Sequence, residues 1–264
     1  MFILICLFIL GAIVGSFLNV VGLRLNSGLT LGGRSFCPVC HKQLSWHELI
    51  PIVSYLLLVG RCSKCKCAIS AQYPLIEFFT GLVFVTVYQS ILVPITPIVV
   101  ALYALLLIVF CLYIAILIYD SRHKIIPDQL VYASIIFALI YRFINGGTLF
   151  DWLAGPIMFM FFAAIWYFSL GRAMGFGDAK LALSIGLLLG APMGFSAFAL
   201  SFWIGTLCVL SIMILSRMGY SLFGKAKRLT MSSEIPFAPF LIFGSWISLI
   251  YKLDLFHVIS LTIK

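Results

Sequence analysis

The chain has 264 residues, 63% of them hydrophobic and only 9% charged, with a mean hydropathy of +1.19. A soluble domain carries about 25% charged residues and a disordered one is poor in aromatics, so this composition leaves a polytopic membrane protein. The net charge of +9 would suggest nucleic acid in a soluble protein, but here the cations must first be assigned to loops.

A membrane-spanning helix needs about 20 apolar residues. Apolar runs lie at 2–23, 74–93, 95–119, 129–145, 149–170, 179–191, 194–216 and 235–262. They predict an all-α polytopic fold of about eight transmembrane helices. The short run 179–191 ends on Gly190, Ala191 and Pro192, which predict a tight turn into the next span. The first run lacks the basic n-region of a cleaved signal peptide and reads as a retained span.

Numbering the loops sorts the cations. On one side fall Arg24, Arg34, Lys42, Arg61, Lys64, Lys66, Arg122, Lys124, Arg172, Lys180, Arg217, Lys225, Lys227 and Arg228; on the other lie Arg142, Lys252 and Lys264. By the positive-inside rule the first set is cytoplasmic and both termini are outside. The positive charge is therefore topological, and no nucleic-acid partner is expected.

The polar segment 24–73 breaks the membrane pattern. It holds Cys37-Pro38-Val39-Cys40 and Cys62-Ser63-Lys64-Cys65. Paired C-x-x-C knuckles at about this separation are a signature of a tetrahedral zinc site. So short a segment buries little core, and a metal clip would stabilise it. Disulfides fit the spacing but not a reducing cytoplasm. A thioredoxin-like redox pair would need a βαβ context, and an iron centre is the other metal reading. Cys67 lies two residues beyond Cys65 and could compete as fourth ligand. His41 and His47 read as surface residues, and Cys6, Cys111 and Cys208 as apolar filler within spans.

Eight acids are few enough to judge singly. Asp151 and Asp254 read as interfacial charges near span ends. Glu48 belongs to the cysteine loop, and Glu234 suits the start of the last span. Asp128 follows Pro127 in an ordinary helix start. Asp120 closes the third span, where the helix dipole disfavours an anion; pairing with Arg122 or Lys124 is the plain explanation. Asp178 sits in Gly175-Phe176-Gly177-Asp178, either as a helix N-cap or as a carboxylate that flanking glycines open to a substrate backbone. Two carboxylates brought together share a proton, so one can activate water while the other polarises a peptide carbonyl. A transporter would favour acids near the midplane, and a zinc-knuckle scaffold would leave Asp120 and Asp178 unexplained.

These segments resemble the bacterial type IV prepilin peptidases, membrane aspartic proteases with a G-x-G-D signature. The likeness runs through Gly15-Ser16-Phe17-Leu18-Asn19, the two cysteine pairs, Ile50-Pro51-Ile52-Val53-Ser54-Tyr55, Tyr73-Pro74-Leu75-Ile76-Glu77, Ile126-Pro127-Asp128, Gly175-Phe176-Gly177-Asp178-Ala179-Lys180 and Pro236-Phe237-Ala238-Pro239-Phe240. It departs where Glu48-Leu49 replace an Asn before the Ile-Pro pair and where Ala238 replaces a Gly. The resemblance implies removal of leader peptides from prepilins or pseudopilins after a glycine, at the cytoplasmic face of the inner membrane. It further implies Asp120 and Asp178 as the catalytic pair, with Asp128 outside it, and N-methylation of the new N-terminus with S-adenosylmethionine. Glu77 is a candidate for that second activity, for which no glycine-rich cofactor loop is visible. The expected organisation is a first span at 1–23, a cytoplasmic four-cysteine zinc domain at 24–73 and a peptidase domain at 74–264.

Overall fold

A computed structural model describes residues 1–26, 28, 30, 32–90, 96–172, 174–217 and 236–254. The expected span ends at 91–93, 95, 235 and 255–262 lie outside these residues. So do Lys225, Lys227, Arg228, Glu234 and Lys264. The described elements are helical, with two isolated antiparallel bridges and no strand among them. In chain order they are α1 (Phe2–Arg24), α2 (Val53–Leu57), α3 (Gln72–Ser90), α4 (Pro97–His123), α5 (Asp128–Asn145), α6 (Leu149–Phe168), α7 (Phe176–Arg217) and α8 (Ala238–Tyr251). Helices α1, α4, α6 and α7 are long and apolar enough to cross a membrane, and α8 is a shorter apolar helix. The chain divides into two compact units, Met1–Tyr119 and Asp120–Lys264.

In the first unit, α1 packs against α3 through small residues. A Cβ on Gly15 would fall 2.9 Å from the Glu77 Cα, and one on Gly81 would fall 2.7 Å from the Phe8 ring. Gly11 and Gly15 form a G-x-x-x-G pair, the spacing that lets helix backbones approach in a medium without a hydrophobic drive between helices. Gly22 plays the same part against Ile118 of α4.

In the second unit, α6 and α7 meet backbone to backbone. A Cβ on Gly186 would lie 2.6 Å from the Gly155 Cα. Phe162 of α6, Phe198 and Phe202 of α7, and Phe237 before α8 form one aromatic cluster, with Phe202 and Phe237 centroids 5.1 Å apart.

The two expected spans 179–191 and 194–216 lie within α7 as two helical stretches, separated as expected by a backbone break at Gly190 (φ 79°, ψ −176°). That φ is open to glycine at little cost. A break leaves carbonyls on one side and amides on the other unpaired, which is tolerable in a membrane only when protein groups replace the lost bonds. Arg142 donates from Nε to the Leu187 carbonyl at 2.9 Å and from Nη2 to the Leu188 carbonyl at 3.1 Å. Asp151 accepts the Ala191 N–H at 3.0 Å. Each charge also sits where the local helix dipole favours it, the cation at the C-terminal carbonyls and the anion at the next N-terminus.

Asp151 is half-exposed, as an interfacial charge should be, but it also has fixed partners, its second oxygen closing a capping box with Thr148. Arg142, by contrast, is not a solvated loop cation, being only 4% exposed. Replacing Arg142 with Leu strands two buried carbonyls and should lower stability by about 2–4 kcal/mol. Thermal unfolding of the detergent-purified variant measures this, and a wild-type midpoint would contradict it.

Candidate active site and metal-binding loop

Asp120 and Asp178 both lie in the second unit, and both are buried, at 4% and 7% exposure. Asp120 stands near the C-terminal end of α4, against the helix dipole. Asp178 stands in the first turn of α7, where the dipole favours it. The two carboxylates are close enough for the charge of Asp120 to act on Asp178. Neither joins an ion pair among the described residues. The Asp120 Oδ2 is buried without a hydrogen-bond partner among the described residues, whereas the Asp178 carboxylate accepts the Gly175 amide.

The glycines of the G-x-G-D segment have separate tasks. A Cβ on Gly175 would lie 3.6 Å from Asp178 Oδ2, so the missing side chain keeps one face of the carboxylate clear. A Cβ on Gly177 would fall 2.8 Å from the Ile126 Cβ. Gly177 thus lets the 124–127 connection after α4 close onto the start of α7, which draws the two aspartates into one region.

Asp128 is placed differently. Its side chain is 62% exposed, and it pairs with Lys180 at 2.6 Å. Lys180 lies over the Tyr132 ring as well. This acid already has its cation, and it ties the start of α5 to the first turn of α7.

In the first unit the cysteine loop folds into two matching knuckles. In one, the Cys37 amide donates to the Lys42 carbonyl and the His41 amide to the Cys37 carbonyl; in the other, Cys62 donates to Cys67 and Lys66 to Cys62. His41 and Lys66 hold the same left-handed turn, at φ 53° and 60°. Bridges Phe36–Gln43 and Arg61–Ala68 close the two knuckles alike.

The Sγ atoms of Cys37, Cys40, Cys62 and Cys65 all lie within 4.8 Å of one another. Two edges, Cys37–Cys65 and Cys40–Cys62, measure 3.8 and 4.0 Å. A zinc tetrahedron with Zn–S bonds near 2.3 Å has S–S edges of about 3.8 Å, so this thiol set fits such an ion. Amides of Cys40 and Val39 hold the Cys37 thiol down to about 6. Amides of Cys65 and Lys64 lower Cys62 in the same way. Cys67 lies 3.3 Å from Cys65 and 3.6 Å from Cys37, but by the knuckle repeat it occupies the position of Lys42, which is not a ligand.

A clamp that the sequence did not announce joins the knuckles. Lys42 donates to Glu48 at 2.8 Å and to Ser63 at 2.7 Å. Ser63 and the amide and hydroxyl of Ser45 also donate to the Glu48 carboxylate. Lys42 first, then the Ser45 amide and Ser63, hold the Glu48 carboxyl well below the usual range. The signal available in sequence was Ser45 with Glu48 three residues later, a capping box.

These features define a helical membrane protein with an aspartate pair at helix ends and a four-thiol loop. Residues 9–91 match the bacterial peptidase A24 N-terminal domain, and residues 105–210 match the type IV leader peptidase family. The prepilin leader peptidase/N-methyltransferase of Bacillus subtilis is 32% identical over 93% of this chain and 93% of its own length. The protein of the same description from Pseudomonas aeruginosa is 29% identical over 93% of this chain and 89% of its own length. That from Aeromonas salmonicida is 31% identical over 83% and 71%. The chain belongs to the type IV leader peptidase family. No solved structure matches it.

The knuckle repeat makes a sharp distinction among the thiols. Cys67→Ser should keep a bound metal, while Cys37→Ser or Cys62→Ser should lose it, measured by elemental analysis of purified protein. Metal-free wild-type protein with intact thiols, or loss confined to Cys67→Ser, would contradict the assignment.

Proposed function

We propose that this chain removes the leader peptide of type IV prepilins or pseudopilins and then N-methylates the new N-terminus. In this reading Asp120 and Asp178 are the catalytic pair. The observation that carries it is the contrast among three acids of one unit. Two are buried, interact electrostatically and join no ion pair among the described residues, while Asp128 is exposed and held by Lys180.

Two neighbouring carboxylates away from water do not readily carry two charges, so they hold one proton between them. The ionised member takes a proton from a water molecule, which attacks the scissile carbonyl. The protonated member donates to the carbonyl oxygen as charge develops there. Collapse of the tetrahedral intermediate expels the amine of the pilin segment, which takes up a proton and leaves as the new N-terminus. The unfilled space beside Gly175 suits close approach of a peptide backbone to Asp178.

The substrate implied is a helix seated in the bilayer behind a basic leader. The distribution of cations supports placing its scissile bond at the cytoplasmic face of the inner membrane, with both termini of the enzyme outside. The four cysteines supply a structural site for zinc, whose binding would tie the knuckles together where little apolar core exists. S-adenosylmethionine would serve as methyl donor, a proposal supported by the N-methyltransferase descriptions of the relatives.

Purified protein and a prepilin in detergent test the pair directly. Asp120→Asn and Asp178→Asn should each cut leader removal by about 10²–10⁴-fold, while Asp128→Asn stays within a few-fold of wild type. Near-normal cleavage by either of the first two, or loss in the third alone, would overturn the assignment.

A further inference from the structure

One buried polar cluster has no part in the cleavage chemistry. It lies in the first unit, between α1 and α3. Glu77 of α3 is 7% exposed, and Asn19 of α1 is 1% exposed. The Glu77 carboxylate accepts the Ile52 amide at 2.7 Å and the Ser16 hydroxyl. Asn19 donates through Nδ2 to the carbonyls of Gly15 and Tyr73, both at 3.3 Å. Its Oδ1 is buried and has no hydrogen-bond partner among the described residues.

The open valences on the Glu77 carboxylate and at Asn19 Oδ1 are acceptors. An ionised carboxylate offers about four lone-pair sites, of which the amide and hydroxyl use two. Glu77 joins no ion pair among the described residues. A buried carboxylate with no ion pair among the described residues and an amide oxygen without a hydrogen-bond partner there are costly unless a donor of positive charge completes them. The chemical group that fits is an ammonium, with three N–H donors and one positive charge. Ile52, a β-branched residue held at φ 63°, brings a backbone segment against this cluster and helps close it.

We propose that Glu77, with Ser16 and Asn19, receives the α-ammonium of the peptide that is to be methylated and takes its proton. This rests on the methyl-transfer part of the function proposed above. An ammonium has no lone pair and cannot attack. Transfer of one proton to the Glu77 carboxylate leaves a neutral amine, whose lone pair attacks the methyl carbon of the sulfonium donor. The carbon–sulfur bond breaks, its electron pair stays on sulfur as a neutral thioether, and the product is a methylammonium. Glu77 then returns its proton to solvent. Asn19 Oδ1 and the Ser16 oxygen orient the nitrogen.

The test uses the full chain, a prepilin, and the mass of the mature pilin N-terminus. Glu77→Gln should cleave the leader normally and lower methylation by about 10²-fold or more, with unchanged calorimetric affinity for S-adenosylmethionine. Raising the pH above about 8, where a free α-amine deprotonates unaided, should restore part of that methylation; a merely structural role would give no such rescue. Methylation near the wild-type rate in Glu77→Gln overturns the proposal. So does loss of donor affinity, which would mean that the cluster holds the donor's own ammonium. If Glu77→Gln loses cleavage as well, Asn19→Ala decides: selective loss of methylation supports the proposal, and any other pattern overturns it. A wild-type protein that cleaves but never methylates would instead sink the methyl-transfer reading itself.

Discussion

Inside a bilayer a polar group has no water to fall back on, so each one must be answered by another protein group or be waiting for a ligand. The break at Gly190 shows the answered case. Arg142 covers two carbonyls and Asp151 takes an amide that the break leaves unpaired, so the chain can turn there. Asp120 Oδ2 and Asn19 Oδ1 are the other case, buried oxygens with no hydrogen-bond partner among the described residues. One belongs to the proposed peptidase pair and the other to the proposed methyl-acceptor cluster. The same rule thus separates structural charges from those available for chemistry.

Close helix approach is the second requirement, and glycine meets it. Gly15 brings α1 within reach of Glu77, and Gly155 and Gly186 let α6 and α7 touch through their backbones. At the aspartate pair, Gly177 admits Ile126. A methyl group at Gly177 would push the 124–127 connection away and disturb the spacing of two carboxylates that need to share a proton. The cysteine loop solves a different problem, since it has little apolar core. There the two knuckles are interlocked by Lys42, Glu48 and Ser63, and four thiols converge on one metal-sized space.

The helical membrane fold was legible because hydropathy and length decide it, and the cysteine knuckles because their spacing is rigidly tied to tetrahedral geometry. The break after residue 189 was legible from Gly190 and Pro192. The roles of Arg142 and Asp151 were not, because loop assignment treats a charge near a span end as solvated, whereas here it fills a broken helix. The G-x-x-x-G of Gly11 and Gly15 was available in sequence, but only the structure ties it to Glu77. Asp128 could be set aside from its helix-start position, and its bond to Lys180 supplies the physical reason. The Glu48 clamp depends on contacts between distant parts of the loop, which periodicity does not carry.

The most direct test of the account is to co-express the chain with a prepilin in a host lacking its own prepilin-processing enzyme and to measure the intact mass of the pilin. The expected product is a pilin that has lost its leader and carries one methyl group on the new N-terminal residue. A pilin that keeps its full leader in the presence of well-expressed, membrane-inserted protein would contradict it.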